Sequence, residues 1–394
     1  MEINLKKAVK QFFPNPSLDM IYFEAIANAI NAGATEISIA IQIESFLKQE
    51  TLLIKIEDNG KGFTDENFAR FSKLMETEEE NHKGLGRLVY LNYFKSVDVI
   101  SYYEDKKRIF EFNDTFSGES KVEDSAETKQ NTCLSFNAYL LAKIKTYDYI
   151  NPPKIKELLK LHFYPQFHSF KINNRALTLS IRVDTNEPDE THDFYNRQCQ
   201  LNVAELPDLE ENTFKVKGLN LFDGEMTLHS SIQKIDRKSE IITAVCVENR
   251  TIPWEIIRPT DLPDGYEALF LLYSDYFDGK VNFARNKLDL EPHEKNLVEE
   301  EFIKAVSDIL IEKIPSLVEK NRTVKKDLTD RYPHLQGYFN SKAVGLLSRE
   351  STLETAQKQF FKEQKGILEA NSLNDEQFQK SMEISSRLLT EYVL

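Results

Sequence analysis

No stretch of the chain restricts its fold more than FEAIANAINAGATEISIAI, running from Phe23 to Ile41. Glu24, Asn28 and Asn31 are spaced by four and three residues, so on a helix they form one polar stripe, while Ile26, Ala29 and Ile30 point elsewhere. Gly33 is placed to end that helix as a C-cap glycine. TEISIAI then alternates with the period of two that marks a strand. Two readings fit this stretch alone: a core helix whose polar groups are satisfied internally, or a helix that lines a site with one carboxylate and two amides.

Composition narrows the classes. The chain has 394 residues, 41% of them apolar and 11% aromatic, enough for two or three domains with real cores. Its formal net charge of −14 argues against a uniformly basic nucleic-acid surface. Cys133, Cys199 and Cys246 are odd in number and far apart, offering neither a disulfide framework nor a CxxC metal site. The amino terminus, MEINLKKAVKQFF, lacks the apolar core of a signal peptide, and no apolar run is long enough to span a membrane. A soluble, cytoplasmic protein with no membrane partner is expected.

Three sections follow along the chain. Residues 1–175 mix helices and strands: two isoleucine-rich strands in TEISIAIQIESFLKQETLLIKIEDNG, a helix in GLGRLVYLNYF, a hairpin in SVDVISYYEDKKRIFEFN and a strand in NTCLSFNAYLL. NPPKIKELLKLHFYPQF carries Pro at the start of a helix and again near its end. Residues 176–295 open with DTNEPDETHD, an acidic loop or linker, and then read as strands. Residues 296–394 read as helices. The fold class expected is α+β.

Neither GxxxxGK[ST] nor a complete GxGxxG occurs, so the common phosphate-binding fingerprints are absent. Two glycine sites remain. In IEDNGKGF, Asp58 ends an apolar strand and is followed by Gly60 and Gly62. A carboxylate beside backbone freed of side chains accepts well from an exocyclic amino group, although DNG is also an ordinary turn. In NHKGLGRL, Gly84, Leu85 and Gly86 lead into a helix between Lys83 and Arg87. Such an entry favours phosphate, and equally serves as a plain helix start.

In this order the pieces resemble the GHKL ATPase superfamily, which includes DNA gyrase, the ninety-kilodalton heat-shock chaperones, histidine kinases and MutL. Glu24, Asn28 and Asn31 match its E-x-x-x-N-x-x-[DN] helix, and Asp58, Gly60 and Gly62 its D-x-G-x-G. Gly84-Leu85-Gly86 resembles its glycine lid, and Thr132 its late-strand threonine. Two departures stand out: Asn31 where many relatives carry Asp, and Asn131 where they carry Gly.

The resemblance implies a two-layer Bergerat-type nucleotide domain over 1–175. An S5-like transducer would follow over 176–295, then a helical region suited to dimerisation or partner docking. It implies ATP and Mg²⁺ as cofactors, with Glu24 as general base and Asn28 as a magnesium ligand. Asp58 and Thr132 would meet the adenine, with Asn31 nearby. Lys83, Gly84, Leu85, Gly86 and Arg87 would meet the phosphates. AVCVENRTI is similar to the transducer strand of MutL, and DGKVNFARNKLDLE to the loop that delivers a cation to the γ-phosphate, matching Lys287 in one relative and Arg285 in another. Histidine kinases place a phosphoacceptor hairpin before the nucleotide domain, and too little chain precedes Glu24 for one. His82 and His162 therefore read as structural.

Two function classes follow: a homodimeric ATPase clamp acting on an unknown protein client, or a nucleotide-gated interaction module with little turnover. Stand-alone bacterial relatives serve stress or antiphage systems, and the same setting is implied here by analogy alone. The apolar helical end SSRLLTEYVL, with Leu388, Leu389, Val393 and Leu394, is expected to pack in a dimer or against a partner.

Overall fold

The computed structural model describes residues 17–45, 47–72, 86–127, 129–141, 149–186, 197–219, 224–259, 262–282 and 287–331. The chain divides into two compact units, 1–207 with 249–251, and 208–248 with 252–394.

The first unit is built on an eight-stranded sheet. Its strands are β1 (Glu36–Ile43), β2 (Leu53–Asp58), β3 (Phe94–Tyr103), β4 (Lys106–Asn113), β5 (Lys121–Asp124), β6 (Asn131–Tyr139), β7 (Thr178–Thr185) and β8 (Gln198–Asn202), in the order β5-β4-β3-β6-β2-β1-β7-β8. Ile37, Ile39, Ile41 and Ile43 of β1, Ile54 and Ile56 of β2, and Leu179, Ile181 and Val183 of β7 are all buried. The period-two alternation read from the sequence therefore sends one face of these strands to the core. Helix α1 (Asp19–Asn31) buries Ile21, Tyr22, Ala25, Ile26, Ala29 and Ile30. Removing side chains of leucine and isoleucine size from water contributes about 1.5–3 kcal/mol each.

α1 ends as its sequence dictates. Gly33 adopts φ +83, the Gly33 N–H donates to the Ile30 carbonyl, and the Ala34 N–H donates to the Ala29 carbonyl. These are the paired bonds of a Schellman cap, and only a residue free of Cβ strain adopts that φ readily. The β3–β4 turn is likewise short, with Glu104 and Asp105 both at positive φ, the two-residue geometry that matches strand twist.

Three local expectations change. GLGRLVYLNYF forms a 3₁₀ turn over Gly86–Val89 and a single helical turn, α3 (Tyr90–Tyr93), because Phe94 already opens β3; α2 (Asp65–Ser72) precedes it. NPPKIKELLKLHFYPQF makes two helices, α4 (Pro152–His162) and α5 (Tyr164–Ile172). Pro165 lacks the N–H needed to continue the first helix but suits the opening turn of the next. The break expected at 175/176 falls inside the first unit, since β7 pairs in parallel with β1, Glu36 against Thr178 through Ile43 against Thr185. DTNEPDETHD thus joins β7 to β8 rather than two units; its last seven residues lie outside the described set.

The second sheet comprises β9 (Glu210–Lys215), β10 (Glu225–Lys234), β11 (Glu240–Val247), β12 (Arg250–Pro253) and β13 (Tyr266–Tyr273), in the order β12-β11-β13-β10-β9, and belongs to the second unit except for Arg250 and Thr251. α6 (Pro292–Lys313) and α7 (Pro315–Arg331) follow, separated by Ile314 alone. Val298, Phe302, Val306 and Leu310 of α6 share one core with Leu228, Val245, Phe270 and Leu272 of the sheet. That helix is thus part of the second unit, and the expected boundary near 296 does not separate them. Residues 332–394, with the apolar end at Leu388, Leu389, Val393 and Leu394, lie outside the described residues.

Gly224 carries this unit's tightest backbone approach. It adopts φ +73, and a Cβ there would sit 1.9 Å from the Val216 carbonyl oxygen. The Val216 N–H also donates to the Gly224 carbonyl at 2.6 Å. Because the obstacle is backbone, Gly224→Ala is expected to destabilise the second unit by roughly 2–4 kcal/mol. A urea melt followed by Trp254 fluorescence reads this; an unchanged midpoint contradicts it.

Candidate functional site

α1 carries both ends of the site. Its polar stripe is Glu24, half-buried, with Asn28 and Asn31 exposed. The Asn28 Nδ2 lies 3.4 Å from Glu24 Oε1, a long hydrogen bond that leaves the amide oxygen turned to other work. Against the same helix packs the Gly86–Val89 turn. A Cβ at Gly86 would lie 2.0 Å from Glu24 Oε2 and 2.6 Å from Oε1, so the bare Cα of this glycine is what makes room for the carboxylate.

Arg87, expected at the phosphates, is only 7% exposed. Its guanidinium lies 4.7 Å from the centre of the Phe71 ring, a cation–π arrangement. Burial pulls its ionisation down to about 10, opposed by the neighbouring Glu24 charge, so it remains a cation at neutral pH. Tyr90 is fully buried one turn on, beside Asn28 and Glu24. Burial first, and then the Glu24 charge, push its phenol well above the ordinary range. Glu24 therefore sits among a glycine, a buried cation and a buried phenol. Tyr90 and Phe71 were not anticipated from sequence; Tyr90 stands four residues after Gly86, a spacing that could have suggested it.

The other end lies at the carboxyl end of β2. Asp58 pairs with Thr132 on β6, and Thr132 in turn with Ser101 on β3, so the three polar residues stand side by side across adjacent strands. Asp58 Oδ1 accepts from the Gly60 N–H at 2.9 Å. Burial raises its pKa to about 6, and the Gly60 bond opposes that rise. Gly62 has φ +74, and a Cβ there would come within 2.5 Å of Ser101 Oγ. A cradle that any side chain would fill is left open above the hydroxyls.

The glycine loop is pinned to the end of α1. Asn59 Oδ1 accepts from the Thr35 and Glu36 N–H groups, and the Lys61 N–H donates to the Ala32 carbonyl. Glu24 is eight residues before Ala32, about 12 Å of helix rise. One rigid helix thus fixes the carboxylate and the Asp58–Gly62 loop relative to each other. Asn59 is the device that converts an ordinary DNG turn into a clamp.

Other expected residues fall as follows. Lys83, Gly84, Leu85, His82 and Arg285 lie outside the described residues. Lys287, in the second unit, is exposed; its N–H donates to Asn282 Oδ1, and its carbonyl accepts from the Asn282 N–H. His162 stacks flat on Phe23 at 3.8 Å, and burial first, then Arg250, lowers its pKa to about 3. That is a packed neutral ring, in keeping with a structural role.

Residues 17–140 match the family described as "Histidine kinase-, DNA gyrase B-, and HSP90-like ATPase". The first unit carries a GHKL ATPase domain. The match spans the Glu24 helix, the Asp58 loop and the Thr132 strand of that domain. Among solved structures, the "N terminal domain of a DNA repair protein" is similar in fold, with a TM-score of 0.51 at 14% identity, covering 79% of this chain and 100% of that one. The Aquifex aeolicus MutL ATPase domain complexed with ADP also matches, with a TM-score of 0.35 at 15% identity over 66% of this chain and 90% of that one. No curated protein matches the chain. Among the described residues no helix is long and apolar enough to cross a membrane. The α+β class and the Bergerat-type sheet with helices are those of GHKL domains.

Gly86→Ala tests the carboxylate end. The obstructing atoms belong to the far end of the Glu24 side chain, so the fold yields by displacing Glu24 rather than backbone. Thermal stability is expected to stay within about 1 kcal/mol, while displacing the general base that the family resemblance implies is expected to lower ATP turnover roughly 10²-fold. Steady-state hydrolysis and a thermal melt on one preparation check it; turnover at the parent level contradicts it.

Proposed function

We propose that the chain is a Mg²⁺-dependent ATPase clamp that works as a homodimer. The observation that supports it most is the single helix α1, which holds Glu24 at one end and, through Ala32, the Asp58–Gly62 loop at the other. Asp58 accepts from the adenine amino group and Thr132 completes the base contact. The glycine segment that ends at Gly86 would meet the phosphates, as the family resemblance implies. Glu24 takes the proton from the water that attacks the γ-phosphate.

Among the described residues no cluster of three acidic, His or Cys side chains could hold a metal ion. Magnesium takes one or two protein oxygens and completes its shell with phosphates and water. Asn28, exposed and with its amide nitrogen turned towards Glu24, offers one such oxygen. When bound, the ion neutralises charge on the β- and γ-phosphates. By the same family resemblance, Lys287 or Arg285 would be the cation that stabilises the transferring phosphoryl group.

The experiment is ATP turnover with Mg²⁺ titrated in, beside a mass measurement with and without a non-hydrolysable ATP analogue. Slow, magnesium-dependent hydrolysis and dimers formed with the analogue are expected. Turnover by a species that stays monomeric throughout contradicts the clamp. Binding without turnover makes the chain a nucleotide-gated interaction module instead.

A further inference from the structure

Ser101 was absent from every sequence motif, yet it is fully buried at the centre of the base end. Its oxygen accepts from the Phe63 N–H at 2.8 Å and lies 2.9 Å from Thr132 Oγ1. The direction of the second bond follows from accounting for each proton. If Thr132 donated to Ser101, the Ser101 oxygen would accept twice and its own proton would be buried without an acceptor. If Ser101 donates to Thr132, every group of Ser101 is satisfied, and the Thr132 proton is left to point at the space under Gly62. The second arrangement is favoured.

The base end then presents a defined pattern. The Asp58 carboxylate, with one oxygen held by the Gly60 N–H, offers an acceptor, and Thr132 beside it offers a donor. A 6-aminopurine has the complement, an amino donor next to a ring-nitrogen acceptor. A 6-oxopurine has the reverse, a carbonyl acceptor next to a ring N–H. To accept from that N–H, Thr132 would have to spend its second lone pair and swing its own proton off the base edge, leaving that proton unpartnered or turning it back on Ser101 and orphaning the Ser101 proton.

We propose that Ser101 is a positioning residue that fixes the polarity of the Thr132 hydroxyl and so makes the site select a 6-aminopurine over a 6-oxopurine. This rests on the reading that the Asp58 end receives the base of a nucleotide. Ser101 itself need not touch the ligand, since Thr132 stands between.

ATP and inosine triphosphate differ only at the edge in question, so equilibrium binding of both is the test. In Ser101→Ala the Thr132 hydroxyl turns freely and accepts as readily as it donates. The preference for ATP over inosine triphosphate is expected to shrink roughly tenfold, the size of one buried polar mismatch. In a Thr132→Val background, Ser101→Ala should leave the preference unchanged, while Thr132→Ser should keep the parent value. If Ser101→Ala weakens both nucleotides by one factor, Ser101 merely holds the Phe63 loop and the proposal fails. If the parent protein binds both equally, this assignment falls and the ATP reading survives; if it binds neither, both fall.

Discussion

On the proposed function, Glu24→Ala is expected to lower ATP turnover by roughly 10²–10⁴-fold, the loss of a general base, while ATP still binds. The two effects separate because the base end depends on β2, β3, β6 and the Asn59-pinned loop, none of which involves the Glu24 carboxylate. The helix should also survive the change. Alanine has the best helix propensity, Glu24 is only half-buried, and the Schellman cap lies two turns away. Without its carboxylate partner Arg87 keeps its stack on Phe71. In the proposed clamp, ATP bound but not hydrolysed would hold the closed state, so this variant should accumulate as a nucleotide-loaded dimer in size-exclusion measurements.

Asp58→Asn is expected to do two opposite things. Asp58 has its folded-state pKa raised from 3.8 to about 6 by burial, so protonation favours the fold. That contribution is complete below the unfolded value near 4 and is lost as pH rises through about 6. At neutral pH the ionised group is a burden of up to about 3 kcal/mol on the unliganded protein. Asparagine has the same shape without the charge, so stability at pH 7 should rise by about 1–3 kcal/mol, and the fall in stability between pH 4 and 6 should flatten.

Binding moves the other way. The Gly60 N–H claims the amide oxygen and leaves the amide nitrogen facing the adenine amino group, donor against donor. ATP affinity should drop on the order of 10²-fold, the loss of a charge-assisted hydrogen bond. Melting curves across this pH range and an ATP titration at pH 7 check both halves. A variant that is less stable at pH 7 than the parent contradicts the burial argument.

Local chemistry made much of the site legible in the sequence. The four- and three-residue spacing of Glu24, Asn28 and Asn31 put them on one face, and Gly33 ended the helix in the left-handed conformation expected. What stayed hidden depended on register and on distant pairing. Ser101 lies in an unremarkable strand, and only its position opposite Thr132, itself opposite Asp58, makes it part of the site. β7 is read locally as the start of a second domain, because nothing in its own sequence records that it pairs with β1. Arg87 illustrates a different limit. Its charge and place beside a glycine suggested phosphate, but Phe71 gives the guanidinium a buried seat that composition cannot reveal.

The most direct test of the account measures ATP binding and ATP hydrolysis on the same preparations of the parent protein, Glu24→Ala and Asp58→Asn. Two separable ends on one helix predict that Glu24→Ala binds but does not hydrolyse, and that Asp58→Asn loses binding and with it hydrolysis at low ATP. Hydrolysis by Glu24→Ala at the parent rate would contradict the account at its centre.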